Sequence, residues 1–217
     1  MEQPPVVTVS GTAQRKADPD SFALSVTVEV RGSDAAEVNE QLAERFGRVD
    51  ATLSPLSSPL MTIDRGPVSI HRNVSPPESR GSPAVEWLAS RGVTLTNRDT
   101  SQASAMLETV GTLADEIDGL VLNGPHWQLD DDNAVHAAVQ ADAVQAALLR
   151  ARRYAEAVGG RLGRLVQISD PGVQMARGVR LMSAVVSPGQ GLGGMDFSPQ
   201  PVEVGATVEG QWTIELS

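Results

Sequence analysis

Asn133 to Asp170 reads NAVHAAVQADAVQAALLRARRYAEAVGGRLGRLVQISD, and this stretch decides the fold. From Asn133 to Val158 it is rich in alanine and free of glycine and proline, so nothing interrupts a long helix built from the best helix former. Asp130, Asp131 and Asp132 stand before it, and Arg150, Arg152 and Arg153 lie towards its end, which is the charge order the helix macrodipole favours. Gly159 and Gly160 supply a left-handed stop, and Leu162 to Ser169 reads as a strand. A long helix followed directly by a strand needs a sheet to lie on, so the rest of the chain is read for strands.

Two segments supply them clearly. Phe22, Leu24, Val26, Val28 and Val30 take every second position, with Ser25, Thr27, Glu29 and Arg31 falling between or just beyond them. Near the C-terminus, Val202, Val204, Ala206, Val208, Trp212, Ile214 and Leu216 do the same, and Gly210 is the place for a bend. Period two is the mark of a strand with one buried face. Val6 to Ser10 alternates more weakly and ends at Gly11, ahead of a polar turn through Asp18, Pro19 and Asp20.

Helices fill part of what remains. Ser33 is the expected N-cap of a helix with Asp34 and Glu37 in its first turn, and Val38, Leu42, Phe46, Val49 and Leu53 follow at helical spacing until Pro55 stops it. Thr100 or Ser101 is the expected cap of another, whose Met106, Val110, Leu113 and Ile117 share a face. Between these helices, Pro67 to Val74 and Ala84 to Thr96 read as strands around a loop holding Pro76, Pro77 and Gly81. Leu120 to Leu129 reads as a strand broken at Asn123, Gly124 and Pro125, and residues 171–201 as a flexible Gly/Pro loop. The order predicts an α+β chain, with about three helices on an antiparallel or mixed sheet and the longest helix in the C-terminal half. One continuous domain, with its core from about residue 6 to 216, accommodates it.

Composition narrows the functional classes. The 17 Lys and Arg against 27 Asp and Glu give a formal net charge of −10, which repels phosphate backbones and argues against a nucleic-acid partner. No cysteine is present, so disulfides, thiolate metal sites and cysteine nucleophiles are excluded. No window approaches the roughly 18 apolar residues of a membrane helix, and the N-terminus has no secretory pattern, so the expected location is cytoplasmic.

Motifs of chemistry are weak throughout. Gly189, Gly191 and Gly194 match G-x-G-x-x-G in form, yet Pro199 and Pro201 follow where a dinucleotide site needs a helix. His126, Asp130, Asp132 and His136 are metal-ligating types, with Asp132 and His136 at helical spacing, but no H-E-x-x-H or calcium loop supports them; helix capping explains the aspartates. His71 reads as a surface residue, and G-x-S-x-G is absent. No catalytic residue, metal or cofactor is therefore assigned. Arg65, Arg72, Arg80 and Arg91 read as solvated strand arginines or as an anion or partner surface, and Trp87, Trp127 and Trp212 as core. Arg72, Trp87, Arg91 and Trp127 are the candidate ligand or partner surface.

Four blocks, taken together and in order, are similar to those of the SIMPL-domain family: VTVSGTAQRKADPDSFALSVTVEV, VTLTNRDTSQASAMLETV, the ARRYAEAVGGRLGRLVQISD end of the long helix, and VEVGATVEGQWTIEL. The resemblance implies an α+β domain with helices on an antiparallel sheet, and ring-like or higher oligomers in some bacterial members. It also implies envelope and stress-response links among bacterial relatives and a signalling-kinase association in an animal one, with no catalytic residue to carry over. The leading expectation is a non-enzymatic interaction or scaffold protein that forms a homo-oligomer, through strand edges or a helix surface at Ala134, Ala138 and Ala141, and binds an unidentified protein partner. The alternatives are a small-ligand binder with a pocket between helices and sheet, and a metal-dependent hydrolase.

Overall fold

The computed structural model describes residues 4–75, 84–170, 173–175 and 197–216. In chain order these form β1 (Val6–Ala17), β2 (Ser21–Gly32), α1 (Ala35–Leu53), β3 (Met61–Arg65), β4 (Ser69–Ser75), β5 (Ala84–Asn97), α2 (Ala103–Glu116), β6 (Leu120–Gln128), α3 (Ala134–Ala157), β7 (Gly160–Ser169), β8 (Val173–Met175) and β9 (Val202–Leu216). The fold is α+β, with three helices and two antiparallel sheets where the sequence suggested one. The elements divide into two compact units. The loop expected around Pro76, Pro77 and Gly81 and the glycine run 189–194 lie outside the described residues.

The first unit holds β1, α3, β7, β8 and β9. β9 is its centre: β1 pairs with it along one edge, and β7 and β8 pair with it along the other. β1 runs on through Ala17, well past the expected end at Gly11. Its second half carries exposed Gln14, Arg15 and Lys16, and an edge strand held by backbone pairing needs no apolar alternation to continue. α3 packs on β1, β9 and β7 through Val135, Val139, Ala143, Ala147, Ala151 and Ala155, all buried and each four residues from the next. Such an i, i+4 row of small side chains lets a helix approach a strand closely. Gly11 uses that closeness: a Cβ there would overlap the Ala143 carbonyl oxygen and the Ala147 amide nitrogen. Ala134 and Ala141 are exposed and Ala138 is half-buried, so the helix surface they form lies off this packed stripe. Asn133 caps α3 by accepting from the Val135 amide, so none of the three preceding aspartates is the cap residue. Gly159, at φ +79°, provides the stop, and Gly160 already belongs to β7.

The second unit holds a sheet of order β3-β5-β2-β6, with β4 also paired to β5. β2 is flanked on both sides, and Phe22, Leu24, Val26, Val28 and Val30 are at most 2% exposed. α1 packs on β2 and β5, burying Val38, Leu42, Phe46, Val49 and Leu53, and α2 packs on β6 through a face that includes Met106 and Val110. Each such side chain contributes roughly 1.5–3 kcal/mol on burial, so the apolar face outweighs capping in placing α1. The caps are Asp34, which accepts from the Ala36 and Glu37 amides, and Asp99, which accepts from the Ser101 amide to start a 3-10 turn before α2. Ser33, Thr100 and Ser101, the expected caps, yield to a neighbouring carboxylate with stronger, charge-assisted acceptors. β3 has no counterpart in the sequence reading, since only Met61 on it is fully buried.

Candidate functional site

Of the candidate surface, Arg72 and Trp87 are direct partners across β4 and β5. Arg72 is exposed, whereas Trp87 packs on the core of the second unit. Arg91 lies four residues along β5 and so on the same face as Trp87. Its guanidinium sits 4.3 Å above the Phe46 ring, and its Nε donates to the Gly66 carbonyl at 3.1 Å. Trp127 is opposite Phe22 on β2 and meets that ring edge-on, with centroids 5.7 Å apart. Trp87 is opposite Gly32, at the other end of β2, roughly 33 Å of strand away. The fold therefore brings Arg72, Trp87 and Arg91 together and leaves Trp127 apart from them.

The remaining sequence candidates lie elsewhere. Arg65 pairs with Asp50 at 2.6 Å and donates to the Ser54 hydroxyl at 2.9 Å, while Arg80 lies outside the described residues. His71 is exposed, with its Nε2 2.7 Å from the Ser69 hydroxyl. His126 pairs with Ala23 on β2, and His136 Nε2 lies 3.1 Å from the Asp130 carbonyl oxygen. Among the described residues, no three His, Asp or Glu side chains gather to hold a metal ion. No helix among them is long and apolar enough to cross a membrane.

A different surface, in the first unit, combines shape with charge. Two adjoining depressions of about 330 and 520 Å³ run between β1 and the C-terminal half of α3, sharing Ser10 and Arg150. β1 is the last strand of its sheet, so its outer edge is unpaired among the described residues. Pro5 presents its carbonyl to β9, where the Ile214 amide donates at 2.7 Å. Backbone groups alternate in direction along a strand, so Val6, Thr8, Ser10 and Thr12 present theirs outward. The Arg150 Nη1 donor accordingly reaches the Ser10 carbonyl, at a long 3.4 Å. Leu149 and Tyr154, each about half exposed, and Val158, 59% exposed, supply apolar surface beside Arg150 and Arg153. Among the described residues no carboxylate lines either depression, although the chain carries a net charge of −10.

Farther along the same helix, Arg15 on β1 and Asp142 on α3 pair at 2.6 Å. The hydrogen bond from Arg15 is the main cause that holds the Asp142 carboxyl below its ordinary pKa. Sequence reading missed the groove because half of it is backbone. The visible signal was the group Leu149, Arg150, Arg153 and Tyr154, which share one side of α3 at three- and four-residue spacing.

An α+β chain whose helices pack on antiparallel sheets is consistent with the similarity in the four sequence blocks. The chain belongs to the SIMPL family, described as a protein of unknown function (DUF541), whose family model matches residues 7–212. No curated protein matches the chain. Among solved structures it is similar to an amidase of the hydantoinase/carbamoylase family from Burkholderia phymatum, at 17% identity and a TM-score of 0.32. The match covers 63% of this chain and 34% of the amidase, and at that score nothing about this chain follows from it.

Proposed function

We propose that this protein is a non-enzymatic interaction protein that self-associates through the outer edge of β7. The observation that carries this reading is the pattern of exposure on that strand. Leu165, Val166 and Ile168 are each about half exposed, so β7 offers apolar surface near its outer edge. Among the described residues β7 also ends its sheet, which leaves outward backbone donors and acceptors for another strand.

Self-association through one patch on both copies is the simplest closed arrangement. The test is sedimentation equilibrium over a wide concentration range, with the intact chain and with Val166→Lys and Ile168→Lys. A dimer or larger species that both lysines dissociate supports the reading. A strict monomer at high concentration, or an oligomer insensitive to both substitutions, removes it.

A further inference from the structure

We infer that the groove between the outer edge of β1 and the C-terminal half of α3 takes an extended, carboxylate-bearing segment of a partner protein, added as a strand next to β1. This goes beyond the self-association proposed for β7 and does not depend on it, because it uses the opposite edge of the sheet.

Strand addition requires outward backbone groups and a wall against which alternate side chains lie. From Val6 to Thr12, four residues face outward, enough for a partner segment of about seven residues at roughly 3.3 Å each. The pairing of β1 with β9 runs through this span without a register shift, so the outward groups keep a regular spacing. The wall is α3, where Leu149, Tyr154 and Val158 are exposed apolar groups beside the strand.

Charge selects the occupant. Arg150 and Arg153 line the groove, and among the described residues no acidic side chain does. The long Arg150 contact to the Ser10 carbonyl occupies an acceptor that an incoming backbone amide can take over, which frees the guanidinium to bind a carboxylate in a shorter, charge-assisted geometry. A second copy's β7 does not suit this place: between Gly160 and Ser169 it carries Arg161 and Arg164 and no acidic residue. The fitting partner is therefore an extended segment with alternate apolar residues and flanking Asp or Glu.

The test uses the intact chain and two fluorescent seven-residue peptides of alternating valine and threonine, one flanked by glutamates and one by lysines. Anisotropy is expected to show the acidic peptide binding at least about tenfold more tightly than the basic one, and Arg150→Glu with Arg153→Glu is expected to reverse that order. Methylating alternate amides of the acidic peptide is expected to abolish binding, because the added methyls remove its donors to β1. In amide hydrogen exchange, bound peptide is expected to protect Val6, Thr8, Ser10 and Thr12 and leave β7 unchanged. Both arginines lie on exposed helix surface, so the variant keeps its fold, and unchanged circular dichroism verifies it. The inference is overturned by no binding of the acidic peptide, by equal binding of both peptides, or by protection that appears elsewhere than β1. Loss of the β7 oligomer would leave all of these readouts intact.

Discussion

Gly11 on β1 and Ala147 on α3 meet backbone to backbone, with no room for a Cβ between them. The helix and the strand approach this closely because both contribute their smallest side chains at the crossing. Gly11→Ala is expected to force them apart and destabilise the chain by about 1–3 kcal/mol, the usual range for overpacking. Gly47 is the opposite case, an exposed residue inside α1 with nothing within 4 Å of an added Cβ. Gly47→Ala is expected to stabilise by about 0.5–1 kcal/mol, because alanine restricts the unfolded chain and favours a helix. Urea unfolding of the two variants checks both signs.

Gly210 makes a similar allowance within one strand. A Cβ there would overlap the Trp212 ring, which lies over Gly210 while packing on Val9, Ala147 and Ala151. The glycine expected to mark a bend is instead the floor beneath an indole. Gly210→Ala is expected to displace that ring, lower stability by about 1–3 kcal/mol and change the near-ultraviolet circular dichroism of tryptophan. An unaltered aromatic spectrum would show that the indole does not depend on the glycine.

Legibility in the sequence followed burial contrast. α1 and β2 were readable because Val38, Leu42, Phe46 and the Phe22 to Val30 alternation set large apolar groups against polar ones. α3 was readable as a helix, but its packed face was not, since Ala134 and Ala141 in water are the same residue type as Ala143 and Ala147 in the core. The second half of β1 and the whole of β3 escaped because edge strands depend on backbone pairing that leaves little trace in side chains. The division into two sheets rests on pairings such as Val6 with Thr213, far apart in the chain, which no local pattern encodes. The β1 groove was hidden for the same reason: its outward carbonyls and amides belong to every residue type alike.

Arg91, by sequence a solvated strand arginine or part of a partner surface, has contacts that give it a packing role. With its guanidinium over Phe46 and its Nε on the Gly66 carbonyl, it joins α1 to the chain that follows β3. Arg91→Ala and Phe46→Leu are expected to couple by about 0.5–2 kcal/mol in a double-mutant cycle. Arg91→Lys is expected to recover only part of the loss, because an ammonium lacks the planar face that stacks on the ring. Additive losses in the cycle would remove the stacking contribution.

The Arg15 and Asp142 pair should make stability depend on acidity in one direction. A carboxylate whose pKa is lowered in the folded chain binds its proton more readily when unfolded. The stabilisation is therefore present above the ordinary value of 3.8 and is lost as pH falls through the lowered folded value. Asp142→Asn is expected to unfold at slightly lower urea than the parent chain at pH 7, with the gap closing as pH falls below 3.8. Both partners are nearly half exposed, so added salt should shrink the gap at neutral pH as well. Urea titrations of the two proteins from pH 7 to pH 2, at low and at 0.5 M salt, measure this directly. A gap that stayed constant across that pH range would assign the effect of Asp142 to packing against β1 rather than to its charge.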